Sequence, residues 1–263
     1  MSDNVNALVL GDIVGQPGCR ALFVGLKGLI KRYKADFVVV NGENAAGGFG
    51  LTVDIADKLF AAGVDIITSG NHIWQKQEIL STLEKDHRIL RPANYPKGVP
   101  GSGLHTVVKK DFRFTVMNLQ GRVRMYDVNS PFETALSLYR SNKDQSDAII
   151  VDFHAELPME KEALALYLDG KVQAVVGTHT HIQTADERIL PGGTAFITDL
   201  GMTGPSDSVI GVDPRISIQR SLTQMPIKMN IVDTPGVMRG VNIELSREGR
   251  AVSIERIQEY SGF

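Results

Sequence analysis

Short, mainly apolar segments alternate with amphipathic stretches through the first third of the chain. The apolar segments show little internal alternation, which is typical of strands buried on both faces of a parallel sheet. The stretches between them repeat apolar residues at helical spacing. A glycine-rich loop from Gly11 to Gly18 precedes the first of these helices. We predict strands at 7–10, 37–40 and 65–68. We predict helices at about 19–34 and 73–85, and a third that begins after Thr52 as N-cap and ends at Gly63.

The pattern changes to a period of two after Gly101. Apolar and polar residues alternate on both sides of 109–111, which predicts an antiparallel hairpin. Since no linker is visible, we expect one domain over residues 1–263 with two sheets, rich in βα units first and in hairpins last. The other predicted elements are strands at 148–153 and 175–177, helices at about 131–139 and 160–168, hairpins at 188–197 and 237–260, and a glycine-rich loop at 199–205.

Polar side chains follow five of the predicted strands at the point where each strand ends. Four of the six histidines in the chain lie at such positions. Because the carboxyl ends of parallel strands share one crevice, we expect these side chains to converge. Their ligand types suit iron, manganese or zinc, and two such ions with a carboxylate between them can activate a hydroxide for attack at phosphorus. The residues are Asp12, Glu43, Asn44, Asn71, His72, His154, His179 and His181.

Each of these positions also has a simpler interpretation. Asp12 is a candidate helix cap, Asn44 a turn former and Asn71 a left-handed turn residue. His154 would then be a hydrogen-bonded core histidine, and the last two histidines would be surface residues in a turn. The glycine-rich turn after the first strand also suggests a dinucleotide site, but G-x-G-x-x-G spacing is absent, and a carboxylate there would repel a pyrophosphate.

The composition narrows the class of protein. The chain has 263 residues, 43% of them hydrophobic and 22% charged, with a net charge of −2 and one cysteine. The net charge shows no excess of basic residues of the kind that nucleic-acid-binding proteins have. The single cysteine excludes an intrachain disulfide and a zinc site with several cysteine ligands. No apolar run approaches the ~20 residues of a membrane span, and the first residues lack a signal-peptide pattern. We expect a cytoplasmic protein.

Several motifs resemble those of calcineurin-like metallophosphoesterases. Gly70-Asn71-His72 and Gly177-Thr178-His179-Thr180-His181 match the general superfamily, and others match its YmdB-type bacterial branch from Leu8 to at least Gly204. The resemblance implies a four-layer α/β/β/α sandwich, a di-metal centre and 2′,3′-cyclic-nucleotide phosphodiesterase activity. The branch motifs are Gly11-Asp12-Ile13-Val14-Gly15, Asn41-Gly42-Glu43-Asn44, Asp152-Phe153-His154-Ala155-Glu156 and Thr198-Asp199-Leu200-Gly201-Met202.

The sequence departs from the general superfamily in two places. Asp12-Ile13-Val14 stands where most members have D-x-H, so one histidine ligand is missing. Glu43 followed by Asn44 stands where most members have a bridging aspartate. Both departures are typical of the YmdB-type branch. Within that branch, Leu157-Pro158-Met159 replaces the small polar residues that we expect, which would reshape the rim of the pocket.

The resemblance implies a role for each candidate. One metal would be held by Asp12, Glu43, Asn44 and His181, and Glu43 would bridge to a second metal held by Asn71, His154 and His179. His72 would face the scissile phosphate as general acid. We expect two transition-metal ions, iron first and manganese or zinc as alternatives, a cyclic-nucleotide substrate and no membrane partner. We also expect a homo-oligomer and consider an RNA-related partner.

Three alternatives remain open at this point. A broader phosphodiesterase or phosphomonoesterase would use the same metal site on another substrate. A nucleotide-sensing regulatory protein would bind without turnover, although binding alone needs no positioned acid. A nucleotide-binding module of the Rossmann type is disfavoured by the carboxylates at the strand ends.

Overall fold

Alternate residues of the buried strands face opposite layers of the protein. In the computed structural model, which describes residues 4–261, Leu8 and Leu10 pack under helices, whereas Ala7 and Val9 face a second sheet. A further cluster fills the outer face of that second sheet. Three hydrophobic layers therefore separate four structural layers, in the order helices, sheet, sheet, helices. This arrangement confirms the expected α/β/β/α sandwich.

The first sheet has seven strands and combines both ends of the chain. Its strand order is β2-β11-β12-β1-β3-β4, with β13 paired to β12. The pairs β1–β3 and β3–β4 are parallel, whereas β1–β12 and β12–β13 are antiparallel. The strands are β1 (Val5–Leu10), β2 (Asp12–Ile13), β3 (Phe37–Asn41), β4 (Ile66–Thr68), β11 (Met202–Pro205), β12 (Gly236–Leu245) and β13 (Ala251–Tyr260).

The second sheet has six strands and is built from the middle of the chain. Its order is β5-β6-β7-β8-β10-β9, and the central pairs β6–β7, β7–β8 and β8–β10 are parallel. The β5–β6 hairpin turns through Lys110 and Asp111, both at positive φ, as a type I′ turn requires. The strands are β5 (Leu104–Lys109), β6 (Phe112–Gln120), β7 (Ala148–His154), β8 (Ala174–Thr178), β9 (Arg188–Ile189) and β10 (Ala195–Ile197).

The helices cover the outer faces of the two sheets. Thr52 Oγ1 accepts a hydrogen bond from Ile55 N at 3.4 Å, and Gly63 ends the same helix at a φ of 113°, so both predicted boundaries are confirmed. None of the helices in residues 4–261 is long and apolar enough to cross a membrane. The helices are α1 (Gly15–Tyr33), α2 (Val53–Ala62), α3 (Leu80–Leu83), α4 (Pro131–Asn142), α5 (Pro158–Tyr167) and α6 (Pro214–Thr223).

The helix predicted at 73–85 is wrong. The segment forms two 3₁₀ turns, Ile73–Gln75 and Gln77–Ile79, followed by the single turn of α3. Lys76 between them is extended, with φ −113° and ψ 110°. The buried residues of the segment are six and then four positions apart, which does not match one face of a continuous helix, so the break lets each of them reach the core.

Glycines misled the prediction at three other places. The predicted loop from Gly11 to Gly18 is already helical from Gly15, because the absence of a side chain at Gly18 lets α1 approach the carbonyl of Thr203. Gly177 does not end its strand but lies within β8, where a Cβ would collide with the carbonyl of Thr198. The predicted loop at 199–205 contains β11. At Gly18 and Gly177, glycine allows close packing of backbones.

The expected division into a βα-rich sheet followed by a hairpin-rich sheet is also wrong. The C-terminal hairpin of β12 and β13 completes the first sheet, and Val5 pairs with Leu245. β12 supplies apolar residues to the core between the sheets, so it belongs beside β1. The second sheet begins with an antiparallel hairpin but continues with parallel strands.

Candidate metal centre

The carboxyl ends of the parallel strands of both sheets meet at one polar cluster. The cluster contains all the residues that the sequence singled out at strand ends. Glu43, directly after β3, lies in its middle and is fully buried. Glu43 Oε1 accepts a hydrogen bond from Asn44 Nδ2 at 2.9 Å and lies 3.2 Å from His154 Nε2. A single carboxylate thus links a residue of the first sheet to one of the second.

Asp12 forms the floor of the cluster next to His154. The pairing of β2 with β11 places Asp12 opposite Met202. Asp12 is fully buried, and its Oδ2 accepts a hydrogen bond from the backbone N–H of His179 at 3.1 Å. Its Oδ1 has no hydrogen-bond partner within residues 4–261 and lies 3.7 Å from His154 Nδ1. A buried carboxylate oxygen without a donor is free to bind a cation.

The ring of His154 is fixed from behind by two side chains. Its Nδ1 lies 3.0 Å from Thr178 Oγ1, and Thr178 Oγ1 donates a hydrogen bond to Asp152 Oδ1 at 2.7 Å. The Thr178 hydroxyl therefore accepts from Nδ1–H, so the neutral form of the ring has its lone pair on Nε2, the atom that faces Glu43. Asp152 also accepts from the hydroxyl of Thr68, and burial raises the pKa of Asp152 to about 6.

The loop with the last two histidines is held in an uncommon backbone conformation. His179 and His181 have φ values of 102° and 65°. Between them, Thr180 donates from its backbone N and its Oγ1 to Asp199 Oδ2, at 3.1 and 2.8 Å. Asp199 in turn receives the buried ammonium of Lys161 at 2.6 Å. This buried ion pair stabilises a loop that L-residues would otherwise avoid.

The two histidines of this loop each point one ring nitrogen at the cluster. His179 Nδ1 lies 3.0 Å from His154 Nε2, and its Nε2 lies 3.1 Å from Glu156 Oε2. His181 Nδ1 donates to the carbonyl of Ile210 at 2.9 Å, which leaves a lone pair on Nε2. Partners outside the cluster can therefore hold the protons of both rings, so that each inner nitrogen is a potential ligand.

Asn71 and His72 close the cluster after β4. Asn71 Oδ1 is buried and has no hydrogen-bond partner within residues 4–261. The backbone N of His72 donates to Glu43 Oε2 at 3.1 Å, and its Nδ1 lies 2.7 Å from Asn44 Oδ1. The preceding Gly70 is required here, because a Cβ would collide with His154 and with Glu43.

The charges of the cluster perturb each other strongly. Burial disfavours the charged form of Glu43, but His154 and His72 overcome it and hold the pKa of Glu43 well below its usual range. Burial raises the pKa of Asp12. Burial would lower the pKa of His154, but Glu43 and Asp12 raise it to about 9. Burial and the charge of His154 lower the pKa of His179 to about 3.

The donor atoms fit a divalent or trivalent cation. Ligand atoms of Glu43, His154 and His179 all lie within 4.8 Å of one another. The unpartnered oxygens of Asp12 and Asn71 add two hard donors. Asn44 presents its amide nitrogen, not its oxygen, to Glu43 and His181, so its amide would have to rotate by 180° before the oxygen could bind a metal there.

Sequence reasoning missed several side chains that support the cluster or line its opening. Asp152, Glu156 and Asp199 stand inside the recognised motifs, but their roles depend on contacts across strands that a motif does not show. The structure also places Arg124 in one cavity with Asn71 and His179. The sequence feature that could have indicated Arg124 is Gln120-Gly121-Arg122. These residues follow β6, which is parallel to β7 and ends beside it, so the loop after β6 lies at the same edge of the sheet as His154.

Comparison with known proteins identifies the family. A family model described as YmdB-like protein matches residues 8–257. The chain belongs to the YmdB-like protein family. A curated member from Bacillus subtilis (strain 168), named 2′,3′-cyclic-nucleotide 2′-phosphodiesterase, is 44% identical over 251 residues, which cover 95% of this chain and 95% of the relative.

Two solved structures have a fold similar to that of this chain. A structure titled as a novel phosphatase from Mycoplasma pneumoniae has 32% sequence identity and a TM-score of 0.93, covering 99% of this chain and 95% of that one. A putative 5′-nucleotidase from Staphylococcus aureus shares the fold at a TM-score of 0.63 and 16% identity, covering 99% of this chain and 55% of that one. The metallophosphoesterase-type sandwich is thereby confirmed.

Proposed function

We propose that this YmdB-like protein is a two-metal phosphodiesterase that hydrolyses 2′,3′-cyclic nucleotides. The observation that carries the proposal is the position of the Glu43 carboxylate, which is fully buried between Asn44 on one side and His154 on the other. A bridging carboxylate between two ions needs ligands on both sides. The Bacillus subtilis relative, which is named for this activity, supports the choice of substrate.

We propose for the two ions the ligands that the resemblance to YmdB-type enzymes implies. Asp12, Glu43, Asn44 and His181 would hold one metal, and Glu43, Asn71, His154 and His179 would hold the other. The unpartnered oxygens of Asp12 and Asn71 and the inward lone pairs of His154, His179 and His181 support this set. Its mixture of imidazole, amide and carboxylate favours iron, with manganese or zinc as alternatives.

The ions would polarise the phosphate and activate a water for attack at phosphorus. Hydrolysis then breaks one P–O bond to the ribose, and the departing ribose oxygen needs a proton. His72 is placed to supply it, because it adjoins Asn71 and its ring is partly exposed. In the orientation that the structure shows, His72 Nδ1–H can donate to Asn44 Oδ1, 2.7 Å away, so an imidazolium would keep its Nε2–H for the departing oxygen. His72 Nε2 is therefore the proposed donor.

The proposal also includes the wider setting of the enzyme. Since the inner faces of both sheets share one core, we take residues 1–263 as one domain. We retain a cytoplasmic location and a homo-oligomer as parts of the proposal, and an RNA-related partner as a second ligand to be tested. A broader phosphodiesterase would differ only in substrate profile, and a sensing protein would bind nucleotide without turnover.

The decisive assay compares a diester with a monoester. We expect the metal-loaded protein to hydrolyse 2′,3′-cyclic AMP faster than 3′-AMP at equal concentration, because a diester monoanion needs less positive charge than a monoester dianion. The measurement is nucleotide product and free phosphate against time, with the metal content determined by elemental analysis. Faster phosphate release from 3′-AMP would reverse the assignment, and binding of cyclic nucleotide without any turnover would favour a sensor.

A further inference from the structure

A cavity of about 350 Å³ opens beside the polar cluster. Asn71 and His179 of the cluster line one part of it, and the rest is lined by the consecutive residues Arg124, Met125 and Tyr126. Small-molecule pockets span ~300–1,000 Å³, so this cavity is at the small end of that range. It is of a size for a single nucleotide, and it gives that nucleotide direct access to two of the proposed metal ligands.

The segment that carries these three residues is tied to the metal centre. We call residues 121–128 the Arg124 loop. The carboxylate of Glu160 accepts hydrogen bonds from the backbone N–H groups of Arg122 and Val123, at 2.9 and 3.3 Å. The N–H of Gly121 donates to the carbonyl of His154 at 2.9 Å, so the base of the loop is bonded to a proposed ligand residue. A side chain at Gly121 would collide with Glu160, which keeps this contact close.

Arg124 stands on the loop with its positive charge unused. Within residues 4–261, no hydrogen bond or ion pair involves its guanidinium, and the cavity lining contains no carboxylate residue. The backbone of Arg124 has a φ of 60°, in the left-handed region that L-residues rarely adopt. A guanidinium presents two parallel N–H donors, which match two oxygens of one phosphate group.

Tyr126 supplies the second element of a nucleotide site. Tyr126 is 64% exposed as a residue and lines the same cavity. An exposed aromatic ring beside an anion-binding group is the usual platform on which a base stacks. The spacing of two residues between Arg124 and Tyr126 allows one loop to contact both the phosphate and the base.

We propose that Arg124 binds the non-bridging phosphate oxygens of the substrate and that Tyr126 stacks on its base, so that the Arg124 loop determines specificity for nucleotides. The inference rests on the proposed function, because it assumes that the phosphate reaches Asn71 and His179. It adds contacts to the phosphate and to the base beyond those of the metal ligands.

The test uses kinetics on two substrates with metal-loaded protein. The substrates are 2′,3′-cyclic AMP and the 2′,3′-cyclic phosphate of methyl riboside, which lacks a base. Arg124→Gln should raise KM about 10–100-fold on both, because a charge-assisted hydrogen bond to the phosphate is lost. Tyr126→Ala should raise KM about 5–100-fold on cyclic AMP only. Arg124→Lys and Tyr126→Phe should recover part of each loss.

Arg122→Gln is the matched control, because Arg122 is an exposed arginine of the same loop that does not line the cavity. It should leave both KM values unchanged. Calorimetric binding of 3′-AMP, at metal content equal to that of the unsubstituted protein, gives a readout without turnover. Arg124→Gln should weaken this binding by a similar factor.

The outcomes separate the two proposals. Unchanged KM and 3′-AMP affinity in Arg124→Gln would overturn the inference, as would an equal effect of Arg122→Gln or a loss of metal from the Arg124 variant. An equal effect of Tyr126→Ala on both substrates would overturn the stacking role. Absence of cyclic-nucleotide turnover in the unsubstituted protein would overturn the proposed function, whereas the 3′-AMP measurements would still decide whether Arg124 binds phosphate.

Discussion

The floor and the rim of the proposed active site differ in burial and in the number of contacts that hold their side chains. The floor, made of Asp12, Glu43 and His154, is completely buried, and each of its side chains contacts another charged or polar group. The rim, made of Arg124 and Tyr126, is exposed to solvent on the Arg124 loop. Buried polar groups need fixed partners, whereas exposed ones do not. Floor residues should therefore control metal content, and rim residues should control which phosphate compound binds.

Glu43→Ala should give the largest effect, because it removes the only residue proposed to touch both ions. We expect loss of both metals and a fall in turnover of about 10³-fold or more, since metal-ion catalysis supplies several kcal/mol. Elemental analysis and kinetics on 2′,3′-cyclic AMP measure this.

Asp12→Ala is the comparison variant for Glu43. It removes a ligand of one ion only, so it should retain more metal than Glu43→Ala does. Equal metal loss in the two variants would contradict a bridging role for Glu43, and an enzyme that stays active without metal would contradict the whole centre.

His72→Ala should come next and should separate chemistry from metal binding. His72 contacts Asn44 and Glu43 but is not a proposed ligand. We expect both metals to remain and turnover of cyclic AMP to fall about 10²–10⁴-fold, the contribution of a positioned acid. The loss should shrink on bis(4-nitrophenyl) phosphate, whose phenolate departs without a proton.

The contrary result for His72 is also informative. If His72→Ala loses metal, or loses equal activity on both diesters, then His72 serves to orient Asn44 and Glu43 rather than to donate a proton. The short contact between His72 Nδ1 and Asn44 Oδ1 makes that alternative a real competitor.

Thr178→Val should give the smallest effect on the floor. The substitution keeps the shape of the side chain but removes the hydroxyl between His154 Nδ1 and Asp152. We expect metal affinity to fall about 10–100-fold, as is usual when the partner of a ligand histidine is lost. Competition with a chelator measures it. Thr178→Ser retains the hydroxyl and should stay close to the original affinity; equal weakening in both variants would show that the methyl group matters instead.

The sequence predicted the floor better than the rim. Apolar strands that end in Asp12, Glu43 or His154 place these residues at a shared edge whatever the exact lengths of the helices between them, because the edge is a property of parallel topology. Arg124 could not be found in this way. Its place depends on the hydrogen bonds that Glu160 and His154 make to the loop, and these join distant parts of the chain.

Two of the errors in the fold have the same physical origin. A glycine in a sequence indicates freedom of the backbone, but it does not show whether that freedom is used for a turn or for close packing. Gly18 and Gly177 pack against carbonyl groups of distant strands. The break at Lys76 likewise follows from where Ile73 and Ile79 find the core, which propensity alone does not show.

The pairing of β1 with β12 has a consequence for the order of folding during synthesis. Asn4 and Glu244 are hydrogen-bonded across 240 residues of sequence. During synthesis, β1 cannot pair with its antiparallel neighbour β12 until β12 has been made, whereas the strands of the second sheet follow one another along the chain. Asp12 reaches its position only through β11, which itself pairs with β12. Asp12 is therefore synthesised well before β11 and β12, the strands that hold it in place. Because such long-range closure is slow, metal capture should be among the last events of folding.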